Sequence, residues 1–151
     1  MNLHHQITVN APREKVWTFL MDIPRVGKCI PGVERVEAQG DNQYLGTVKQ
    51  RVGPIGVTLE GKMTIVEADE QAGRAVMTAE GADKRIGGAV RAKMTMSVKE
   101  LTPSQTELTV DTDANIGGRL GEFGGAVIKK KADQTMEQFA KNISAQIGAG
   151  K

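Results

Sequence analysis

Aromatic side chains are nearly missing from this chain: one tryptophan, one tyrosine and three phenylalanines in 151 residues. So few rings argue against the stacking platforms that hold single-stranded nucleic acid. Charge of one sign is missing too. Twenty basic and 18 acidic residues leave a formal +2, a weak electrostatic basis for gripping a phosphate backbone, so no nucleic-acid partner is expected. The single cysteine, Cys29, forbids an internal disulfide and fits a reducing compartment. No stretch approaches the roughly 20 apolar residues of a spanning helix. The opening MNLHHQITVN lacks the basic and apolar blocks of a signal peptide. The expectation is a soluble, cytoplasmic chain forming one domain over residues 1–151.

Reactive constellations are equally scarce. His4 and His5 are adjacent, so in a strand they face opposite sides and cannot share a metal. His5, on the dry face, reads as a core histidine, and Cys29 has no second cysteine at a metal-site spacing. No nucleophile elbow, Walker loop or dinucleotide fingerprint occurs. Asp22 and Glu60 are paired by no readable spacing. No catalytic residue, metal site or cofactor is therefore expected, which points to a binding protein.

What is plentiful is glycine, with 18 residues, and methionine, with seven. Together they imply a core of small and adaptable side chains. Leu3, His5, Ile7 and Val9 alternate with polar neighbours and predict a first strand. Pro12 suits a first helical position, and Arg13 to Met21 predict a short helix with Val16, Trp17 and Leu20 inward. Asp22-Ile23-Pro24 breaks it, and a second short turn fits before Pro31-Gly32. From Val33 to Asn115 the period becomes two. Val57, Leu59, Met63 and Ile65 share one strand face; Val90, Ala92, Met94, Met96 and Val98 share another; Leu108, Val110, Thr112 and Ala114 a third; Met77 and Ala79 a fourth. Strands with one dry and one wet face, joined by short turns, predict an antiparallel sheet of about seven strands.

The stretch from Gly118 to Ile147 predicts one long terminal helix. Ile128, Ala132, Met136, Phe139, Ile143 and Ile147 form one stripe, continued backwards by Gly125 and Gly121. Ile116, Leu120, Phe123 and Val127 form a second stripe on the far side, expected to turn outward. Only this helix is long enough to cover the dry face of the sheet. The fold class expected is therefore α+β of helix-grip type, a curved sheet around the last helix. A candidate apolar cavity lies between them, lined by Val57, Leu59, Met63, Met77, Met94, Met96 and Val110 from the sheet. Gly121, Gly125, Ile128, Met136 and Phe139 line it from the helix.

Alternate connections of a meander lie at opposite ends. One set of turns is polar and acidic, while the other places isoleucines among glycines and prolines with basic residues nearby. Ile30, Ile55, Arg85, Ile86, Ile116, Leu120, Phe123, Val127, Lys130 and Lys131 are therefore expected at a greasy, basic-rimmed mouth. The alternative is that each isoleucine tucks under its loop as a plug.

The opening ITVNAPREKVWTFLMDIPRVGKCIPGVE carries Ala11-Pro12, Val16-Trp17, Asp22-Ile23-Pro24 and Cys29-Ile30-Pro31-Gly32. Leu59-Glu60-Gly61, Gly81-Ala82-Asp83 and Gly117-Gly118-Arg119-Leu120-Gly121 follow in order. Over nearly its whole length the chain resembles the carbon monoxide dehydrogenase G-subunit family of the START-like SRPBCC superfamily. The resemblance implies a START/Bet v 1-like helix-grip fold, an apolar ligand, and association with a molybdenum hydroxylase-type enzyme in maturation or membrane recruitment. An isoprenoid quinone or lipid is the ligand chemistry that fits such a partner. Some relatives continue past the helix into an apolar anchor, whereas this sequence stops at Lys151. Peripheral contact with the inner membrane face is expected rather than permanent attachment. Two rivals stand beside this expectation: a protein-binding factor with a filled core, and a small helix-grip enzyme.

Overall fold

A computed structural model describes residues 1–149. The order is β1 (Asn2–Val9), α1 (Arg13–Met21), α2 (Ile23–Gly27), β2 (Val33–Gly40), β3 (Gln43–Val52), β4 (Ile55–Asp69), β5 (Arg74–Asp83), β6 (Gly88–Thr102) and β7 (Gln105–Gly117). A short α3 (Gly118–Gly121) and a long α4 (Gly125–Ala149) close the chain. All seven strands pair antiparallel in one curved, unclosed sheet, β1-β7-β6-β5-β4-β3-β2. Six of these strands form one meander, and β1 returns to pair with β7 from Asn2↔Asp113 to Val9↔Thr106. Period-two patterning sets the faces: Met63, Met77 and Met94 fall in one cross-strand rank, or the next, and all turn inward.

The two small helices turn the chain from β1 to β2. Pro12 precedes α1, and the Asp22 carboxylate accepts the Arg25 N–H at the start of α2. Val16, Trp17, Phe19 and Leu20 are buried beneath them, beside the equally buried Cys29.

Helix α4 packs across the open side of the sheet. Its backbone comes closest to β1 and β3, on either side, rather than to the middle strands. Phe139, Ile143 and Ile147 enter the main core with Val9, Leu20, Met77, Leu108 and Val110. The Asn142 amide donates to the Cys29 carbonyl at 2.9 Å, tying the helix to the α2–β2 link.

One expectation is corrected here. The terminal segment is not a single helix from Gly118: α3 and α4 are separate, with Gly124 between them at φ +83°. That left-handed backbone suits glycine and stops the α3 turn from running on. Ile116 belongs to β7, and Leu120 is buried under α3 at 4% exposure, so the second stripe does not face outward as a unit. Its helical spacing spans residues that are not all helical.

Candidate functional site

The inward residues of the sheet do not merge into one core. The main cluster fills the half near α1, through Met77, Val98, Leu108, Val110, Phe139 and Ile143. A second, smaller cluster at the opposite end has Val52, Val57 and Leu120 buried, with Leu59, Ile86, Val90, Ile116 and Phe123 packed against it. Between them the inner face carries small residues. Gly46, Gly61 and Gly81 stand in one cross-strand register, and Ala79 and Ala92 in the next, beside Met63.

Ala79, Ala92, Met63, Met94 and Met96 point inward yet are only half-buried. Across from them Ile128, Ala132 and Met136 of α4 are half-buried as well. Small side chains and half-buried methionines make the strip between the two clusters the candidate binding trough. Its apolar walls offer dispersion contact and desolvation, and its methionines can re-pack around different shapes.

The expected lining residues divide accordingly. Met77, Val110 and Phe139 are buried in the floor of the main core, with Met63, Met94, Met96 and Met136 above them. Val57 and Leu59 belong to the far cluster. Gly121 and Gly125 stand apart from the trough: a side chain on Gly121 would meet the Ile116 carbonyl at 2.7 Å, and one on Gly125 would meet Met1 at 3.3 Å.

The expected mouth residues divide too. Ile55 and Val127 are exposed at 37% and 39%. Arg85, which donates to the Gly56 carbonyl at 2.9 Å, is exposed as well, as is Lys130, with Lys131 half-buried. Ile86, Ile116, Leu120 and Phe123 instead pack together as a plug behind the rim. Ile30 is not at that rim: it packs against the main core. Loops bend back wherever apolar area can be buried, so a greasy loop residue is not thereby a contact residue.

Asp83 closes the β5–β6 turn at the rim. Its carboxylate accepts the Thr58 N–H at 2.9 Å and the Arg85 N–H at 3.0 Å, and the Arg85 guanidinium reaches it at 3.5 Å. The Thr58 bond above all, then those from Arg85, hold its carboxyl below the usual carboxylate value against the opposing pull of burial. Cys29 is fully buried, and desolvation raises its thiol, which makes it an inert structural residue.

Two features were not foreseen from the sequence. The first is a hollow of about 680 Å³ on the outer face of the sheet, behind the glycine register. Its floor is Gly46, Gly61, Gly81, Ala82 and Ala89, and Arg35, Glu60, Lys62, Glu80 and Arg91 rim it. Glycines at matched positions of three neighbouring strands were the available signal. The second is a polar group on the inner face: His5 Nε2 lies 2.8 Å from Asp133 Oδ1, and Asp133 Oδ2 lies 2.8 Å from Lys129 Nζ. The Lys129 bond first, then that from His5, lowers the Asp133 carboxyl below its ordinary value.

Among the described residues no cluster of three or more metal-ligating side chains occurs, and no helix is long and apolar enough to cross a membrane.

The chain's similarities fit this geometry. A family model described as CoxG, the G-subunit of carbon monoxide dehydrogenase, matches residues 6–148. A conserved protein from Geobacillus kaustophilus superposes with a TM-score of 0.89 at 21% identity, covering 99% of this chain and 96% of that one. A START superfamily protein from Mycobacterium smegmatis gives 0.72 at 15%, over 99% of both chains. The Zhui aromatase/cyclase from Streptomyces sp. R1128 gives 0.68 at 15%, over 98% and 93%. At these identities the structures establish the START-like fold and nothing finer. No curated protein matches the sequence.

Proposed function

The chain belongs to the carbon monoxide dehydrogenase G-subunit (CoxG) family, and on that footing we propose that it is an accessory protein carrying an isoprenoid quinone or a lipid in its trough. Family and fold together imply a helix-grip binder of hydrophobic ligands. The observation that carries the finer proposal is the half-buried layer of Met63, Ala79, Ala92, Met94 and Met96 between two separate apolar clusters. Half-buried side chains leave apolar surface uncovered, so a long apolar molecule lying against them gains dispersion contact and desolvation.

The carrier would serve a molybdenum hydroxylase of carbon monoxide dehydrogenase type. A membrane redox carrier is apolar, and a soluble oxidoreductase needs access to one. Ile55 and Val127, with Arg85 and Lys130, supply the apolar and basic chemistry of a peripheral contact with an anionic membrane face or an acidic partner.

A recruiting factor that binds protein and no ligand is favoured by one observation, the plug of Ile86, Ile116, Leu120 and Phe123 closing that end. The enzyme alternative requires titratable groups converging in the trough. His5 and Asp133 do meet on the inner face at 2.8 Å, with Lys129 on the other carboxylate oxygen, whereas Asp83 turns inward at the opposite rim, several strand ranks away.

Native mass spectrometry of the purified protein, with organic extraction of what it carries, tests the proposal. A co-purifying quinone or lipid, or stoichiometric uptake of added decyl-quinone, is expected. A protein that carries nothing apolar and takes up neither quinone nor phospholipid refutes the carrier role and leaves the recruiting factor.

A further inference from the structure

Among the described residues, His5 alone has a buried side-chain polar atom with no hydrogen-bond partner. Strand β1 places it opposite Val110, on the face that Leu3, Ile7 and Val9 also occupy. Its side chain is 13% exposed, Nε2 meets Asp133 at 2.8 Å, and Nδ1 is buried with no hydrogen-bond partner among the described residues.

The chemistry of the partner decides the tautomer. Asp133 accepts from Lys129 on its other oxygen, and that bond favours the ionised carboxylate. A carboxylate only accepts, so the proton of a neutral imidazole sits on Nε2 and Nδ1 is a bare acceptor. Buried acceptors are normally paired, and an orphan one calls for a partner the protein itself does not provide. One register step along the same face, opposite Leu3, stands Thr112, half-buried and inward like its neighbour Met94. Met96 lies beside Val110 in the rank that ends at His5. An adaptable methionine beside a masked nitrogen allows a ligand in the trough to reach it by side-chain movement alone.

We propose that His5 Nδ1, with Thr112 one register step along the same face, is the polar station of the trough and selects a headgroup that donates a hydrogen bond: a quinol or phenol in preference to the matching quinone. This rests on the carrier function proposed above and assigns the form of ligand it holds. A quinol hydroxyl donates to the bare Nδ1. A quinone carbonyl only accepts, so it sets an oxygen lone pair against a nitrogen lone pair in an apolar enclosure, where an unmade hydrogen bond is most costly. Asp133 is a positioning residue, acting through the tautomer it imposes. Thr112 can donate to or accept from the second oxygen in either form, so it adds affinity without choosing.

The test is an anaerobic titration of the full chain with a decyl-benzoquinol and the matching decyl-benzoquinone. The wild type is expected to bind the quinol about tenfold more tightly, the size of one unpaired buried acceptor. His5→Leu is expected to abolish that preference, by weakening quinol binding and easing that of the quinone. Asp133→Asn, which can pair with either tautomer, is expected to shrink it, and its partly exposed position spares the core. Nitrogen-15 NMR of the imidazole gives a readout independent of any variant's folding: the neutral ring is expected to hold its proton on Nε2, and the Nδ1 resonance to shift on adding quinol. Equal binding of the two forms by the wild type, or tighter binding of the quinone, overturns the His5 assignment alone. Binding of neither form, with no apolar molecule carried, overturns the carrier function and this assignment together.

Discussion

Gly46, Gly61 and Gly81 share one rank across β3, β4 and β5, yet a methyl group on each would meet different surroundings. On Gly61 it would run into the Glu80 carbonyl oxygen and stand 2.8 Å from the Gly81 Cα. Two carbons in contact need about 3.5–4 Å, and both obstacles are backbone, so β4 and β5 would have to part. On Gly81 the nearest atoms are the Glu60 carbonyl oxygen at 3.5 Å and the Leu59 Cβ at 3.6 Å, ordinary contacts. Gly81→Ala is therefore expected to be neutral or to stabilise by about 0.4–1 kcal/mol, through loss of freedom in the unfolded chain. Gly61→Ala is expected to destabilise by about 3 kcal/mol, the upper range for a methyl forced into packed surroundings. Urea unfolding followed by Trp17 fluorescence and far-ultraviolet circular dichroism measures both, since Trp17 is buried. With a slope of about 2 kcal/mol per molar, the Gly61→Ala midpoint should fall by about 1.5 M while that of Gly81→Ala holds or rises. Coincident midpoints for the two variants would refute the close approach of β4 and β5, and with it the small-residue explanation of the trough.

Three further outcomes follow from the same geometry. Ala92→Leu, which adds volume to a half-buried inward position, should displace a carried apolar molecule in native mass spectra while costing no more than about 1–3 kcal/mol of stability; unchanged loading would count against the trough as the binding site. Asp83 has its carboxyl lowered by the Thr58 N–H first and then by Arg85, so its contribution to stability is complete above the ordinary carboxylate range and is lost as pH falls through the depressed value. Asp83→Asn should thus be less stable than wild type at neutral pH, with the gap in melting temperature closing only in strong acid; a gap independent of pH would contradict the ionised, hydrogen-bonded state. Lys130→Glu, at an exposed position, should weaken sedimentation with anionic phosphatidylserine vesicles by roughly thirtyfold for a two-unit charge change at about 1 kcal/mol per charge, leaving neutral vesicles unaffected; equal loss on both would exclude an electrostatic contact.

The alternation of Leu3, His5, Ile7 and Val9 with polar neighbours, and of Val90 through Val98 likewise, was enough to assign strand faces, because side-chain direction in a strand follows from position alone. Phe139, Ile143 and Ile147 were legible as the gripping stripe for the same reason, helical spacing being local. Two things were not. Whether Leu120 and Phe123 continue a helix or fold back under it depended on Gly124 taking a left-handed backbone, which a composition of many glycines cannot single out. Whether Ile86 and Ile116 face solvent or plug the end depended on how much apolar area each loop could bury by bending.

His5 shows the division most plainly. Its inward direction is written in the period of β1. Its chemistry depends on Asp133, 128 residues away, reaching Nε2 while nothing described reaches Nδ1. Local patterning determines which way a side chain points, because the backbone repeats that direct it span only a few residues. What it meets there is decided by the tertiary fold, since only long-range packing brings distant segments to hydrogen-bonding distance.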